Sequence, residues 1–195
     1  MPSRADLLAA VEAAWIGAFG PVDARGSISF VGVTSIEVLR FGPDSSGIVR
    51  YATLGMSRTP MADPGALVVD PTAGPRAELV LTLAGRRDSV LRTIAALASA
   101  PAVEGLVLAP DATVETGQPL WEGAEFTAVL VDPPVLPDVA TAVGQPVQLL
   151  AVVPITATEL AYRRIHGAVA LREAWGEAGT DLRALDRRSS KIPPA

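Results

Sequence analysis

Three extended segments that follow one another closely constrain the fold of this sequence more than any other feature. They cover residues 27–33, 35–41 and 48–54, and in each one β-branched or apolar residues alternate with others. Alternation with a period of two is typical of strands that bury one face. Turn-forming residues at 42–47 separate the second segment from the third. Because short connections join antiparallel neighbours, the pattern predicts an antiparallel meander.

The remaining segments add helices and strands to this meander. Apolar residues at helical spacing predict three helices, over residues 3–19, 88–100 and 156–175. Extended apolar segments predict four more strands, over residues 76–83, 113–115, 126–131 and 147–153. We expect Pro101 to end the second helix, since proline disrupts a helix. Pro133, Pro134 and Pro137 follow the 126–131 strand and are expected to mark a sheet edge or a loop.

These elements predict an α+β fold with a mainly antiparallel, mixed sheet and about three flanking helices. No linker or internal repeat divides the sequence, so we expect a single domain over residues 1–185. The charged and then proline-rich residues 186–195 are expected to form a flexible tail.

Composition excludes several kinds of functional site. The chain has 195 residues, no cysteine, one histidine and a formal net charge of −5. Without cysteine there are no disulfides, thiol nucleophiles or cysteine-based zinc sites, and one histidine cannot build a histidine-rich metal site. Nonspecific nucleic-acid binding needs a basic surface. We therefore expect no metal, no cofactor and no nucleic-acid partner.

The mean hydropathy of +0.35 is high, so membrane association has to be considered. Charges and prolines interrupt every apolar stretch before about 18 residues, the length that a spanning helix requires. Asp6 and Glu12 interrupt what would be the apolar part of a signal peptide. We therefore expect no membrane span and a cytoplasmic location, which the absence of cysteine also fits.

Four residues are candidates for contact with a protein partner. Residues 55–75 form a long predicted loop, and long loops in compact domains are often functional. In it, the flexible apolar side chains of Met56 and Met61 lie on either side of Arg58, a combination suited to an adaptable binding patch. If Met56 packs inward, the loop is instead a lid on the core. Trp121 lies in a polar loop and is the fourth candidate.

Glu78 is the most informative carboxylate because it lies inside a predicted strand. A buried carboxylate needs a partner, and Arg76 on the same strand face, or Arg58, can provide one. A structural ion pair between Arg76 and Glu78 is the favoured interpretation. The alternative is an enzyme in which Glu78 or Asp63 acts as a general base. His166 has no Gly-x-Ser-x-Gly motif to accompany it and is interpreted as a helix-surface residue.

Several pieces of the sequence, taken in order, resemble the suppressor-of-fused domain family. They are a strand ending in Thr53-Leu54-Gly55-Met56-Ser57, then Pro60-Met61, Ala77-Glu78-Leu79 and a closing strand at residues 150–156. The resemblance covers roughly residues 25–165. It implies a single α+β domain, with a mainly antiparallel sheet flanked by helices, from a family not known for catalysis.

The resemblance also implies a function in protein binding. Animal members of the family sequester zinc-finger transcription factors of the Hedgehog pathway and carry a second, C-terminal domain. Bacterial members are similar to immunity proteins of contact-dependent toxin systems. The resemblance therefore implies a non-enzymatic protein-interaction domain, and one form of this function is an immunity protein that neutralises a toxin domain. An acidic chain suits this role because acidic surfaces can cover basic active sites.

Other functions remain open at this point. A carboxylate-dependent enzyme and a small-molecule-binding protein are the alternatives to partner binding. A purely structural subunit of a homo-oligomer is a third possibility, and we expect a monomer or a homodimer.

Overall fold

Seven strands and three helices make up the regular structure of residues 4–30, 33–62, 73–142 and 144–192, which the computed structural model describes. The helices are α1 (Arg4–Phe19), α2 (Val90–Glu104) and α3 (Ala157–Glu177). The strands are β1 (Ala24–Phe30), β2 (Val33–Phe41), β3 (Ile48–Leu54), β4 (Arg76–Ala84), β5 (Thr113–Glu115), β6 (Phe126–Val139) and β7 (Val147–Thr156).

The strands form one mixed sheet in the order β1-β2-β3-β4-β7-β6-β5. The first four strands are the antiparallel meander that the sequence predicts, extended by β4. β4 and β7 pair in parallel, while β7, β6 and β5 pair with antiparallel neighbours. A parallel pair needs a long crossover connection, and here the connection includes α2, β5 and β6. The prediction of a mainly antiparallel, mixed α+β sheet is confirmed.

Helices cover both faces of the sheet, and the side chains of β7 show which helix lies on which face. Leu149 belongs to the apolar cluster around α1, and Ile155 belongs to the cluster around α3. Leu150 lies in the cluster that contains the buried side chains of α2. Since neighbouring side chains of a strand point to opposite faces, α1 and α3 share one face and α2 covers the other.

Pro101 does not end its helix as expected, whereas the prolines of β6 lie at a sheet edge, one of the two positions expected for them. Pro101 lies inside α2, which continues for one more turn and ends at Gly105, where φ is 70°. The strain of a helical proline falls on the turn before it, so a helix can continue briefly after it. β6 runs through Pro133 as far as Val139, with shifts in its register against β7. β5 pairs only with Ala128–Leu130, so the prolines lie where β6 has no second strand partner among the described residues.

Glu159 fixes the start of α3 through the capping box that the sequence suggests. The Thr156 side chain accepts a hydrogen bond from the Glu159 amide, and the Glu159 carboxylate accepts one from the Thr156 amide. Trp175 Nε1 also donates to Glu159 Oε1, at 3.0 Å. The carboxylate is fully buried, so it needs a compensating charge.

Arg187 supplies this charge from the C-terminal part of the chain. Its guanidinium pairs with Glu159 and is only 6% exposed, and its Nη2 donates to the Pro154 carbonyl at 2.8 Å. Ser190 Oγ donates to the same carboxylate at 3.0 Å. Where we expected a flexible tail over residues 186–195, the structure holds Arg187 and Ser190 against the start of α3. The limits of the domain stay a prediction.

The hydrogen bonds of Glu159 make stability depend on pH. Burial raises the pKa of Glu159, but hydrogen bonds from Arg187, the Thr156 amide and Trp175 outweigh it, so the pKa lies below its ordinary value. A carboxyl with a lowered pKa in the folded state stabilises the fold above its unfolded pKa. This contribution is lost as the pH falls through the folded pKa. We expect the free energy of unfolding to decrease as the pH is lowered from about 5.

Two neighbouring arginines provide a matched test of this pair. Arg187→Met leaves a buried carboxylate without its cation and is expected to lower the free energy of unfolding by about 3–5 kcal/mol at pH 7. The Arg188 side chain is 87% exposed, so Arg188→Met should change the free energy by less than about 0.5 kcal/mol. Urea denaturation at pH 7 and at pH 4 measures both. Equal effects of the two substitutions would show that the pair does not stabilise the fold.

Candidate functional site

The segment that follows β3 turns sharply at Gly55 and continues as a single 3₁₀ turn over Met56–Arg58. Gly55 has a φ of 128°, which side chains rarely permit. A Cβ atom at this position would also lie 2.4 Å from Nη1 of Arg58. The backbone conformation therefore requires glycine here, and the end of the Arg58 side chain fills the space beside it.

Glu78 of β4 holds this turn in place. Its carboxylate is fully buried and accepts hydrogen bonds from Thr53 Oγ1 at 2.6 Å and from the Gly55 amide at 2.7 Å. Ser57 donates to it twice, from its amide at 3.0 Å and from its hydroxyl at 2.7 Å. Thr53 Oγ1 in turn accepts a hydrogen bond from the Leu79 amide at 2.8 Å. Hydrogen bonds to a charged group are stronger than neutral ones, so this cluster fixes the turn firmly.

The expected ion pair between Arg76 and Glu78 is replaced by a different arrangement. Neutral donors of residues 53–57 occupy both oxygens of Glu78. Arg76 Nη1 donates instead to the Ser57 carbonyl at 2.7 Å, so it secures the same turn from its other side. The Glu78 carboxylate has no contact with solvent, and its hydrogen bonds make it the structural anchor of this turn. Asp63, the other candidate base, lies outside the described residues.

Three of the four predicted partner-binding residues are buried. Met56, Met61 and Trp121 are 7%, 3% and 4% exposed and belong to the core beside α2. The Trp121 ring packs edge to face against Phe126, and its Nε1 donates to the Leu185 carbonyl at 3.2 Å. The alternative in which Met56 packs inward therefore holds. In this conformation the three side chains offer little surface to a partner.

Arg58 is the accessible one of the four, and it lies at one end of a row of charges. Its Nη1 donates to the Ser35 carbonyl at 2.6 Å, and its Nη2 lies 4.0 Å from Glu37 Oε1. Arg25 Nη1 donates to the other oxygen of Glu37 at 2.7 Å and also pairs with Glu12 of α1. We call these four charged residues the edge charge row: Glu12, Arg25, Glu37 and Arg58. The row crosses β1 and β2 on the α1 face of the sheet.

Sequence reasoning missed the other members of the edge charge row. The row depends on the register of β1 against β2, in which Arg25 lies opposite Leu39 and Ser27 lies opposite Glu37. This register brings Arg25 and Glu37 into diagonal contact. Their charges inside alternating strands were a visible signal, but strand register is not encoded locally.

A groove beside α2 and the position of His166 concern the small-molecule and enzyme alternatives. A groove of about 490 Å³ lies between α2 and the β5 region, lined by residues that include Arg92, Thr93 and Val114. It is a candidate for the small-molecule alternative. His166 is exposed on α3, and its ring centre lies 4.4 Å from that of Tyr162.

In the described ranges, no cluster of three or more histidine, aspartate or glutamate residues is arranged to hold a metal ion. None of the helices described has the length and apolar character needed to cross a bilayer.

Comparison with known protein families gives a match that spans most of the chain. The sequence model of the Suppressor of fused protein (SUFU) family matches residues 32–188. The chain belongs to the suppressor of fused family. The matched region of this suppressor of fused chain begins just before β2 and includes Gly55, Glu78 and Arg187.

Solved structures share the suppressor of fused fold. A suppressor of fused homolog from Neisseria gonorrhoeae FA 1090 is 18% identical, with a TM-score of 0.69 over 97% of this chain and 100% of its own. A chain of the Sufu–Fu complex is 14% identical, with a TM-score of 0.67 over 97% of this chain and 92% of its own. Drosophila Suppressor of Fused is 13% identical, with a TM-score of 0.66 over 97% of this chain and 51% of its own. The comparison with curated proteins found no match.

The Glu78 cluster can be tested by changing one atom of the carboxylate. Glu78→Gln replaces an acceptor oxygen with an NH₂ group that faces donors, so some of them lose their acceptor. We expect the free energy of unfolding in urea to fall by about 3 kcal/mol. Glu104→Gln, at the exposed end of α2, is the matched control and should change it by less than about 0.5 kcal/mol. A loss no larger than that of the control would contradict the anchoring role.

Proposed function

We propose that this chain is a non-enzymatic protein-interaction domain of the suppressor of fused type. The observation that carries the proposal is the family match over residues 32–188 together with the similarity to a chain of the Sufu–Fu complex. That relative is named as part of a complex with a protein, and the same fold extends over 97% of the present chain. The buried, hydrogen-bonded state of Glu78 supports the same choice, since it gives this residue a structural role.

The surface proposed for partner contact is the edge charge row. Its side chains are between 21% and 43% exposed, so a partner can reach them. Each charge already has an opposite charge beside it, which holds the side chain in position and lowers the entropy lost on binding. Partly exposed charges of this kind act mainly on specificity and on the rate of association. A complementary partner would itself present alternating charges.

We infer further that the partner is a toxin domain, which the chain would neutralise as an immunity protein. The net charge of −5 supports this narrower proposal, because an acidic chain is attracted to a basic active site. The attraction would raise the association rate and weaken with added salt. The cytoplasmic location belongs to the same proposal.

Affinity capture with matched variants tests the interaction surface. The tagged chain, Arg58→Ala and Arg164→Ala are used at low salt on extracts of the source cells, and retained proteins are identified by mass spectrometry. Arg164 is also exposed and ion-paired, but it lies on α3, away from the edge charge row. We expect one stoichiometric partner for the wild type and for Arg164→Ala, and about tenfold weaker binding for Arg58→Ala. A thermal melt of each variant checks that it is folded.

The outcomes test the proposed contact surface and the proposed interaction function separately. Equal retention of the partner by all three proteins would remove the edge charge row as the contact surface. Failure of the wild type to retain any partner at low salt would contradict the interaction function itself.

A growth assay tests the immunity proposal. The captured partner is produced in a laboratory bacterial host with and without the chain. Growth arrest by the partner alone and rescue by the chain would support immunity. A harmless partner would overturn immunity while leaving the interaction function standing.

A further inference from the structure

In the part of the chain that the structure describes, no strand covers the outer edge of β1, which lies at one end of the sheet. It is the terminal strand, and its seven residues contain no proline. Among the described residues, only β2 shares backbone hydrogen bonds with residues 24–30. An edge strand of this kind presents a row of unpaired N–H and C=O groups that can pair with another strand.

The other end of the sheet is blunted, because its terminal strand β5 has only three residues. β5 pairs with Ala128–Leu130 of β6, and the rest of β6 has no strand on that side in the described ranges. This uncovered part carries three prolines, which are Pro133, Pro134 and Pro137. Prolines at an edge prevent pairing with another strand because they have no N–H to donate. The contrast indicates that the β1 edge is the one available for pairing.

We propose that two copies of this chain associate through antiparallel pairing of their β1 strands, so that the two sheets become one continuous sheet. The strand Ala24–Phe30 is complementary to itself about its middle residue, Ser27. With Ser27 opposite its own copy, Gly26 lies opposite Ile28 and Arg25 lies opposite Ser29. No like charges face each other, and each larger side chain meets a small one. This fit of the strand to itself is the reason for proposing a second copy as the partner strand.

The α2 face of β1 offers apolar surface to the second copy. Gly26 lies opposite Val38, and Ile28 lies opposite Ile36, both of which belong to the core beside α2. Ile28 is only partly buried. A side-chain atom placed on Gly26 would lie 3.8 Å from Leu91 Cδ1. In the proposed register, Ile28 of the second copy covers Gly26 and approaches Leu91. Because the pairing is symmetric, the same apolar contact forms a second time with the roles of the two copies exchanged.

The opposite face of β1 tolerates the same pairing. Arg25 keeps its contacts with Glu12 and Glu37, because the residue across from it is Ser29, which has a short, exposed side chain. The pairing therefore does not use the edge charge row, and this inference stands independently of the proposed function.

Single cysteines test the register. The chain has no cysteine, so Ser27→Cys introduces one thiol per copy. Residues directly opposite in an antiparallel pair have Cα atoms about 4.5–5.5 Å apart, a distance that a disulfide can bridge. The thiols of Ser29→Cys would lie about 13 Å apart along the strands. Under mild oxidation we expect a disulfide-linked dimer for Ser27→Cys alone. Ser46→Cys, in an exposed turn, controls for random collision.

Gel electrophoresis without reductant gives a clear result either way. Similar dimer fractions for the three cysteine variants would mean random collision and would overturn the proposal. Cross-linking of Ser29→Cys instead of Ser27→Cys would also overturn it, because the strands would then pair in another register.

A charge substitution tests the association without a covalent cross-link. In one copy, Ser27→Lys places a cation opposite Glu37, which favours the folded chain. In the pair, two lysines face each other, so we expect the dimer dissociation constant to rise at least about tenfold. Sedimentation at several concentrations compares the wild type, Ser27→Lys and the control Ser46→Lys. A wild type that is monomeric at every concentration, or a Ser27→Lys dimer as tight as the wild type, would overturn the proposal.

Discussion

The buried carboxylate of Glu78 determines the path of the chain between β3 and β4. Moving a carboxylate out of water costs several kcal/mol unless hydrogen bonds compensate it. The amides of Gly55 and Ser57, with the hydroxyls of Thr53 and Ser57, provide this compensation only in the observed turn. The turn in turn requires glycine at position 55, and it directs Arg58 towards the Ser35 carbonyl. An interaction inside the core thus positions a charge at the surface.

The burial of a second carboxylate, that of Glu159, is compensated by a cation. Glu159 lies after β7, and β3 and β7 are the two strands that flank β4. Its compensation comes from Arg187, far along the chain, as well as from the local capping box with Thr156. Neutral donors from a single turn, residues 53–57, suffice for Glu78 because that turn folds around the carboxylate. The cap supplies the Glu159 carboxylate with one backbone amide, that of Thr156, and Arg187 and Ser190 add further donors and hold the C-terminal segment in place.

The sequence predicted what local patterns encode and missed what distant contacts decide. The bounds of β3 and β5 follow from alternation between turn residues, and the Thr156–Glu159 capping box is a local motif. The burial of Trp121 was missed because its neighbours are typical of an exposed loop, while Phe126 and the Leu185 carbonyl hold the ring inside. Glu78 was correctly expected to need a partner if it faced inward, but which donors reach it depends on the fold of a turn that no pattern specifies.

The two proposed contact surfaces occupy the same end of the sheet without competing for the same atoms. The edge charge row uses side chains on the α1 face, whereas β1 pairing uses backbone groups in the plane of the sheet. Residues that lie opposite each other in an antiparallel pair share a face, so pairing would place both charge rows on one face of the continuous sheet. A partner with two binding modules, or a dimeric partner, would then bind both rows at once. Its second contact would form at a high effective concentration, so dimerisation would strengthen partner binding without any new contact in the interface.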